Sequence, residues 1–342
     1  MPDVVMKYIL EHLDFESIQA LRKVCHKFKN FIDEKKIDFK LREITVDYYT
    51  SKIKLMIRTS VRYLDFFCYK KDRGCLVVKE KRLDPPDKTH FVEDIDFVTV
   101  FLQQFEVLLS HQKSALRNFN VYTIFPPDSD SDDFAQKFLD GLRSILKNRK
   151  RQLRVQKLYM LITSQEDVLR VLPHLDPDYL ERIDLNHAHE YPKRTLQIDK
   201  LVNLEQWKNS WELGIWRCYI SESIQNLSHF SKAEFLMHEC SLDMLYVLKE
   251  NLLNSYYFNL IKIYFKTFQS ADEDNIIRVF GRPLEDRENN TISRKRCFSR
   301  ITNSDYVLVV TLIDRRYSSG FRINLVPLEF VPKKVLKKQL LF

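Results

Sequence analysis

Residues 155–162 read VQKLYMLI, and the alternation inside this stretch decides how the long middle of the chain is read. Successive side chains of a strand point to opposite faces, so Leu158 and Met160 fall toward a core while Tyr159 turns the other way. The same apolar-x-apolar kernel returns as Ile183 and Leu185 in LERIDLN (180–186) and as Leu213 and Ile215 in WELGIW (211–216). It recurs as Phe235 and Met237 in AEFLMHE (233–239) and as Ile263 and Phe265 in LIKIYFK (260–266). Helix-like segments separate these runs at intervals of roughly 20 to 30 residues, the period of a leucine-rich-repeat horseshoe. The intervals are unequal and the asparagine of strict repeats is mostly missing. The expectation is therefore a degenerate, leucine-rich-repeat-like α/β solenoid over 97–270. Its inner surface carries Tyr159, Asp184, Gly214, Trp216, Leu236, His238, Lys262 and Tyr264.

Toward the N-terminus the pattern becomes short β-rich runs, EITVDYY, KIKLMIRT, VRYLDFFCY and CLVVKE, which predict a meander over 41–80. A helix is expected at about Val98–Gln112, with Phe101, Phe105, Val107, Leu108 and Leu109 on its apolar side. A strand (NFNVYTIF), an exposed acidic loop (PPDSDSDD) and an amphipathic helix (FAQKFLDGLRSILKNRK) follow. Past the repeats, RKRCFSRI, DYVLVVTLID and FRINLVPLEF predict an antiparallel β cap over 290–332, with a turn at Tyr317–Gly320. The fold class is α+β or α/β, with antiparallel segments at both ends of the array.

Residues 2–36 have helical spacing instead: Val5, Ile9 and Leu13, then Ile18, Leu21, Val24 and Cys25, then Phe28, Phe31 and Ile32. Asp14 is placed to cap the second of three short helices by accepting a free backbone N–H. Units below about 40 residues rarely hold a core unaided, so this segment is expected to need a partner.

At 342 residues the chain predicts two domains, or a small module with an extended array. Five glycines, and neither a GxGxxG nor a GxxxxGK[ST] pattern, remove the common nucleotide-binding enzymes. The formal charge of +8 is dispersed and points weakly to acidic partners. MPDVVMKYIL is not a secretory signal and no long apolar run follows, so a cytoplasmic or nuclear protein with no membrane contact is expected. There the six cysteines are reduced thiols.

The N-terminal segment, with its initial proline, helical stripe and LRKVCHKFKNFID, resembles an F-box. The phrases DFESIQALRKVCHKFKNFIDEKKIDFKL, VLLSHQKSALRNF, VLPHLDPDYLERI, LVNLEQWKNSWEL and VLKENLLNSYYFNLIKIYFK resemble the nematode group in which an F-box precedes an FTH domain. The resemblance covers nearly the whole chain and divides it into an F-box motif (1–40) and an FTH-type domain (41–342). It implies a substrate receptor of an SCF-type ubiquitin ligase, docked on the Skp adaptor and through it on cullin and RING subunits, which holds a target protein and carries no catalytic residue or cofactor. Adaptor-facing positions would be Pro2, Val4, Val5, Ile9, Leu10, Leu21, Val24 and Cys25, with Leu13, Ile18 and Phe28 holding the helices together. The family's opening Leu-Pro is Met1-Pro2 here, which would reduce adaptor affinity.

Other chemistry is poorly supported by the residues. Catalysis by Cys25 and His26 needs an orienting acid and a cleft, and adjacent helical residues point apart. His187-x-His189, in a solvated loop, lacks the companions of a zinc site. Lys147, Arg149, Lys150, Arg151, Arg154 and Lys157 form a basic run that is either a phosphate contact or, preferably, a helix C-terminus complementing its dipole. Trp207 and Trp211 read as core, and Trp216 as an exposed anchor of the kind that dominates interfaces; with His238 and Tyr264 it forms the candidate partner-binding set. Carboxylates at Asp128–Asp133 and Asp272–Asp274 look solvated. The reading from another class is a regulatory scaffold or RNA-binding adaptor that uses the basic surface.

Overall fold

A computed structural model describes residues 3–80, 88–124, 133–188, 194–221, 223–253, 259–266, 270–288, 292–301, 304–313 and 319–331. The chain divides into two compact units, Met1–Ile183 and Asp184–Phe342.

The first unit opens with three helices, α1 (Asp3–His12), α2 (Phe15–Val24) and α3 (His26–Lys35). Asp14 accepts the Ser17 amide at 2.8 Å and so caps α2. The buried stripe of α1 is Met6 and Leu10, one position on from Val5 and Ile9, which are exposed. Cys25 does not continue α2: its backbone is extended (φ −158°, ψ 161°) and separates α2 from α3. The expected adjacency of Cys25 and His26 on one helix is thereby corrected.

The meander follows as β1 (Glu43–Tyr49), β2 (Lys52–Arg58), β3 (Tyr63–Lys71), β4 (Gly74–Glu80) and β5 (Lys88–Glu93), each antiparallel to its neighbour. Then come α4 (Phe97–Ser110), β6 (Leu116–Ile124), α5 (Asp133–Lys147), β7 (Val155–Ile162) and α6 (Gln165–Leu169). The strand β1 also pairs in parallel with β6, and β6 with β7, so the sheet order is β7-β6-β1-β2-β3-β4-β5. Alternation sets the two faces. Ile44, Val46, Tyr48, Phe119, Val121, Leu158 and Met160 are buried, and Tyr48 stacks on Phe97 of α4 and Phe138 of α5 at 6.3 and 5.5 Å. The other face, with Glu43, Asp47, Met56, Tyr122 and Tyr159, stays partly open. Val107, expected on the apolar side of α4, is exposed.

The division of the chain runs through β8 (Arg182–His187). The second unit continues with β9 (Thr195–Leu196), α7 (Glu205–Asn209), β10 (Glu212–Ile220), β11 (Lys232–Met237), α8 (Leu242–Leu253), β12 (Leu260–Phe265) and α9 (Ser270–Phe280). It closes with β13 (Leu284–Glu288), β14 (Ile292–Arg300), β15 (Tyr306–Ile313) and β16 (Ser319–Pro327). Strands β9, β10, β11 and β12 are paired in parallel, and β12-β16-β15-β14-β13 continue antiparallel. Gly320 lets β16 approach β12 closely: a Cβ there would lie 2.1 Å from the Ile263 carbonyl oxygen.

The architecture is mixed α/β, with N-terminal helices ahead of sheets that are part parallel and part antiparallel. One connection departs from a regular repeat of strand and α-helix: β10 and β11 are joined through a single 3-10 turn, Ile224–Leu227, among the described residues. Trp211 is also corrected. The helix α7 ends at Asn209, so Trp211 is not on the same helix as Trp207 but lies just before β10, 54% exposed. His187 is not in a solvated loop; it ends β8 and is buried. The acidic loop up to Asp132, His189, and Tyr317 and Ser318 of the Tyr317–Gly320 turn lie outside the described residues.

Candidate protein-docking surfaces

The three N-terminal helices are bonded to one another and packed against the rest of the first unit. Arg22 of α2 grips the Asp33 carboxylate of α3 with two nitrogens, at 2.7 and 2.9 Å, a fork geometry stronger than a single neutral bond. The guanidinium beside Asp33 holds its carboxyl below the usual range. Beyond α3, the Phe39 ring meets Phe15 edge-on at 5.1 Å and stacks on His111 at 4.2 Å. The Asp38 carboxylate accepts the amides of Lys113 and Ser114 at 3.0 and 3.1 Å. The covering partner expected for this small module is thus supplied, on one side, by the C-terminal end of α4 and the turn after it.

The other side carries apolar side chains in water. Val4 is 79% exposed and Val24 68%, and Val5, Tyr8 and Ile9 are also exposed. Around Val24 and Cys25 an open groove of about 450 Å³ is lined by Gln19, Arg22, Lys23, His26 and Lys29 as well. Monomeric proteins keep exposed apolar patches small, and those that persist mark contacts. Of the sequence-predicted positions, Val4, Val5, Ile9, Val24 and Cys25 are exposed and Leu21 half-buried. Leu10 is corrected to the interior, at 1% exposure. Pro2 lies outside the described residues. Sequence reasoning missed Tyr8, whose ring lies 4.4 Å from His12 on the same helix.

In the second unit, β10 carries a bulge between Gly214 and Tyr219, where Arg217 takes a positive φ of 63°. Bulges re-aim side chains, and here the shift sets Tyr219 opposite Leu236. Tyr219, Leu236 and Tyr264 pack together, with Ile313 against them. Tyr264 is only 8% exposed and its hydroxyl donates to Glu234 at 3.3 Å, so it supports this face rather than standing out from it. His238 is half-buried, 4.8 Å from the Tyr219 ring, with Nε2 2.6 Å from the Thr195 hydroxyl. Trp216 is half-buried; a Cβ on Gly214 would sit 2.8 Å from its indole nitrogen, so the missing side chain is what lets the indole lie there.

Reactive chemistry finds little support. Burial pushes the thiols of Cys68, Cys218, Cys240 and Cys297 up to about 12, and no three His, Cys, Asp or Glu among the described residues are grouped to hold a metal. In the basic run, Arg149 donates to the carbonyls of Leu109 and Gln112, closing the C-terminus of α4, and Arg154 donates to the Tyr179 hydroxyl at 3.1 Å. No described helix is long and apolar enough to cross a membrane.

An F-box domain model matches residues 1–40 and an FTH domain model residues 136–283. The chain carries an F-box ahead of an FTH domain. It is similar to F-box A protein 224 of Caenorhabditis elegans, 26% identical over 289 residues, which cover 84% of this chain and 71% of that protein. No solved structure matches it. F-box domains are the modules by which adaptor proteins dock on Skp in SCF-type ligases, and the F-box match coincides with the helices whose outer side is apolar and exposed.

Proposed function

We propose that this F-box protein is the target-recognition subunit of an SCF-type ubiquitin ligase in the cytoplasm or nucleus. Residues 1–40 are the docking module: Val4, Val5, Ile9, Val24 and Cys25 face the Skp adaptor, with Leu21 at the margin and Pro2 ahead of them. Through Skp the chain joins cullin and RING subunits. Residues 41–342 form the FTH-type region, read as a degenerate repeat array that holds a target protein, with Trp216 and His238 as contacts and the Tyr219–Leu236–Tyr264 cluster beside His238.

The single observation that carries this reading is the exposure of large apolar side chains on the F-box helices while their other side is packed. Covering such area stabilises a complex by roughly 25 cal/mol per Å² removed from water.

Co-purification with a Skp adaptor tests it. Wild type should retain the adaptor, and V5D or V24D should lose it while keeping the thermal transition of wild type, since both side chains are in water. If wild type fails where another F-box protein binds, or if both variants bind normally, the docking face lies elsewhere.

A further inference from the structure

The open face of the first unit's sheet holds a groove of about 480 Å³ that the adaptor-docking helices do not line. Glu43, Asp47, Met56, Tyr63, Asn120 and Tyr122 are among its walls. Strand register places Asp47 between Lys54 on β2 and Tyr122 on β6.

The charges here are unevenly committed. Glu43 pairs with Arg58 at 3.6 Å, and the Arg58 guanidinium also lies over the Tyr63 ring at 5.0 Å. Lys54, directly opposite Asp47, gives its ammonium to Asp65 at 3.3 Å and lies over Phe67 at 5.5 Å. Lys52 is over Tyr49 at 5.1 Å. Among the described residues, the Asp47 carboxylate makes no hydrogen bond and has no ion pair within 4.0 Å, although Asp47 is half-buried. Burial pushes its carboxyl up, against the pull of Lys54 and with the added push of Asp65. A half-buried carboxylate without a bonded counterion costs stability, and residues kept at such cost cluster where a ligand supplies the missing partner.

We propose that this groove docks a lysine- or arginine-bearing peptide segment of a protein partner, with Asp47 pairing the cation and Tyr122 and Met56 flanking its alkyl stem. Rings that already seat Arg58 and Lys54 show that this face accommodates cations against aromatic surface. The long-range field argues for locality: at a formal charge of +8 the chain repels cationic peptides as a whole, so binding has to arise at an acidic spot. This goes beyond the ligase reading and does not rest on it, because the groove and the adaptor-docking side chains are separate residues.

The full-length chain is titrated into three fluorescein-labelled probes: an arginine-serine repeat peptide, its glutamate-serine counterpart and oligouridylate. Saturable binding of the arginine peptide is expected, weakened roughly tenfold or more by Asp47→Asn, as loss of a charge-assisted bond implies. Glu212→Gln, in the second unit, should change nothing. Asp47→Ser repeats the test should the asparagine variant fold poorly. Equal affinity of the Asp47 variants and wild type, equal binding of the glutamate peptide, displacement by oligouridylate, or no saturable binding would each overturn the proposal. None of these outcomes bears on adaptor docking, which is read separately by co-purification.

Discussion

The imidazole of His111 lies flat on the ring of Phe39, centroids 4.2 Å apart and planes 2° from parallel, and joins the end of α4 to the chain leaving the F-box helices. One imidazole nitrogen, Nδ1, bonds the Ile37 carbonyl at 3.1 Å and Nε2 lies 3.6 Å from the Asp33 carboxylate. Burial holds this histidine below its ordinary value of 6.5, and burial does the same to His174 and His229. The unfolded chain then binds more protons than the native one, so stability is complete above about pH 6.5 and declines as pH falls through the depressed values. Urea midpoints should be lower at about pH 5.5 than at about pH 7.5, and H111Q should flatten that slope. A midpoint that rises on acidification contradicts the buried neutral imidazoles.

Capping offers a smaller, cleaner test. D14A removes the carboxylate that accepts the Ser17 amide and should destabilise the first unit by about 1 kcal/mol. D14N should recover most of it, as read by equilibrium denaturation.

The three tryptophans should separate by environment. Trp207 is fully buried, edge-on to Phe230 at 5.4 Å, and donates from Nε1 to the Asn226 carbonyl at 3.3 Å. W207A should cost about 3 to 5 kcal/mol. W211A and W216A should each cost far less, and W216A alone should weaken capture of a target. A large stability loss at Trp216 would make it a packing residue.

Thiol labelling should be equally selective. With Cys25 exposed and Cys68, Cys75, Cys218, Cys240 and Cys297 buried, a maleimide at neutral pH should modify Cys25 rapidly and the others only on unfolding. C25S should abolish the fast phase. Labelling at Cys25 should also block adaptor binding, since it sits in the groove beside Val24.

Much of the fold is legible in the sequence because alternation is local. The kernels Leu158/Met160, Ile183/Leu185 and Ile263/Phe265 are buried where period two places them. Lost from view were features set by partners distant in the chain. Strand β5 is identified only by its ladder with β4, and the Arg217 bulge turns β10 beyond the reach of simple parity. The burial of Tyr264 depends on Tyr219 and Leu236 from two other strands. In α1, Val5/Ile9 and Met6/Leu10 are both apolar rows at helical spacing, so period alone could not say which faces inward. On the open sheet face, Asp47 gives no signal of its own, because its lack of a bonded counterion arises from Lys54 turning to Asp65.

The bonds from Asp38 to the amides of Lys113 and Ser114, together with the Phe39–His111 stack, make the F-box helices and the first sheet one bracket instead of two bodies on a tether. Cargo gripped on that sheet would be presented at a fixed standoff and angle from whatever holds the helices. On the ligase reading proposed above, which lysines of a partner held there come within range of modification would then depend on where they lie on that partner.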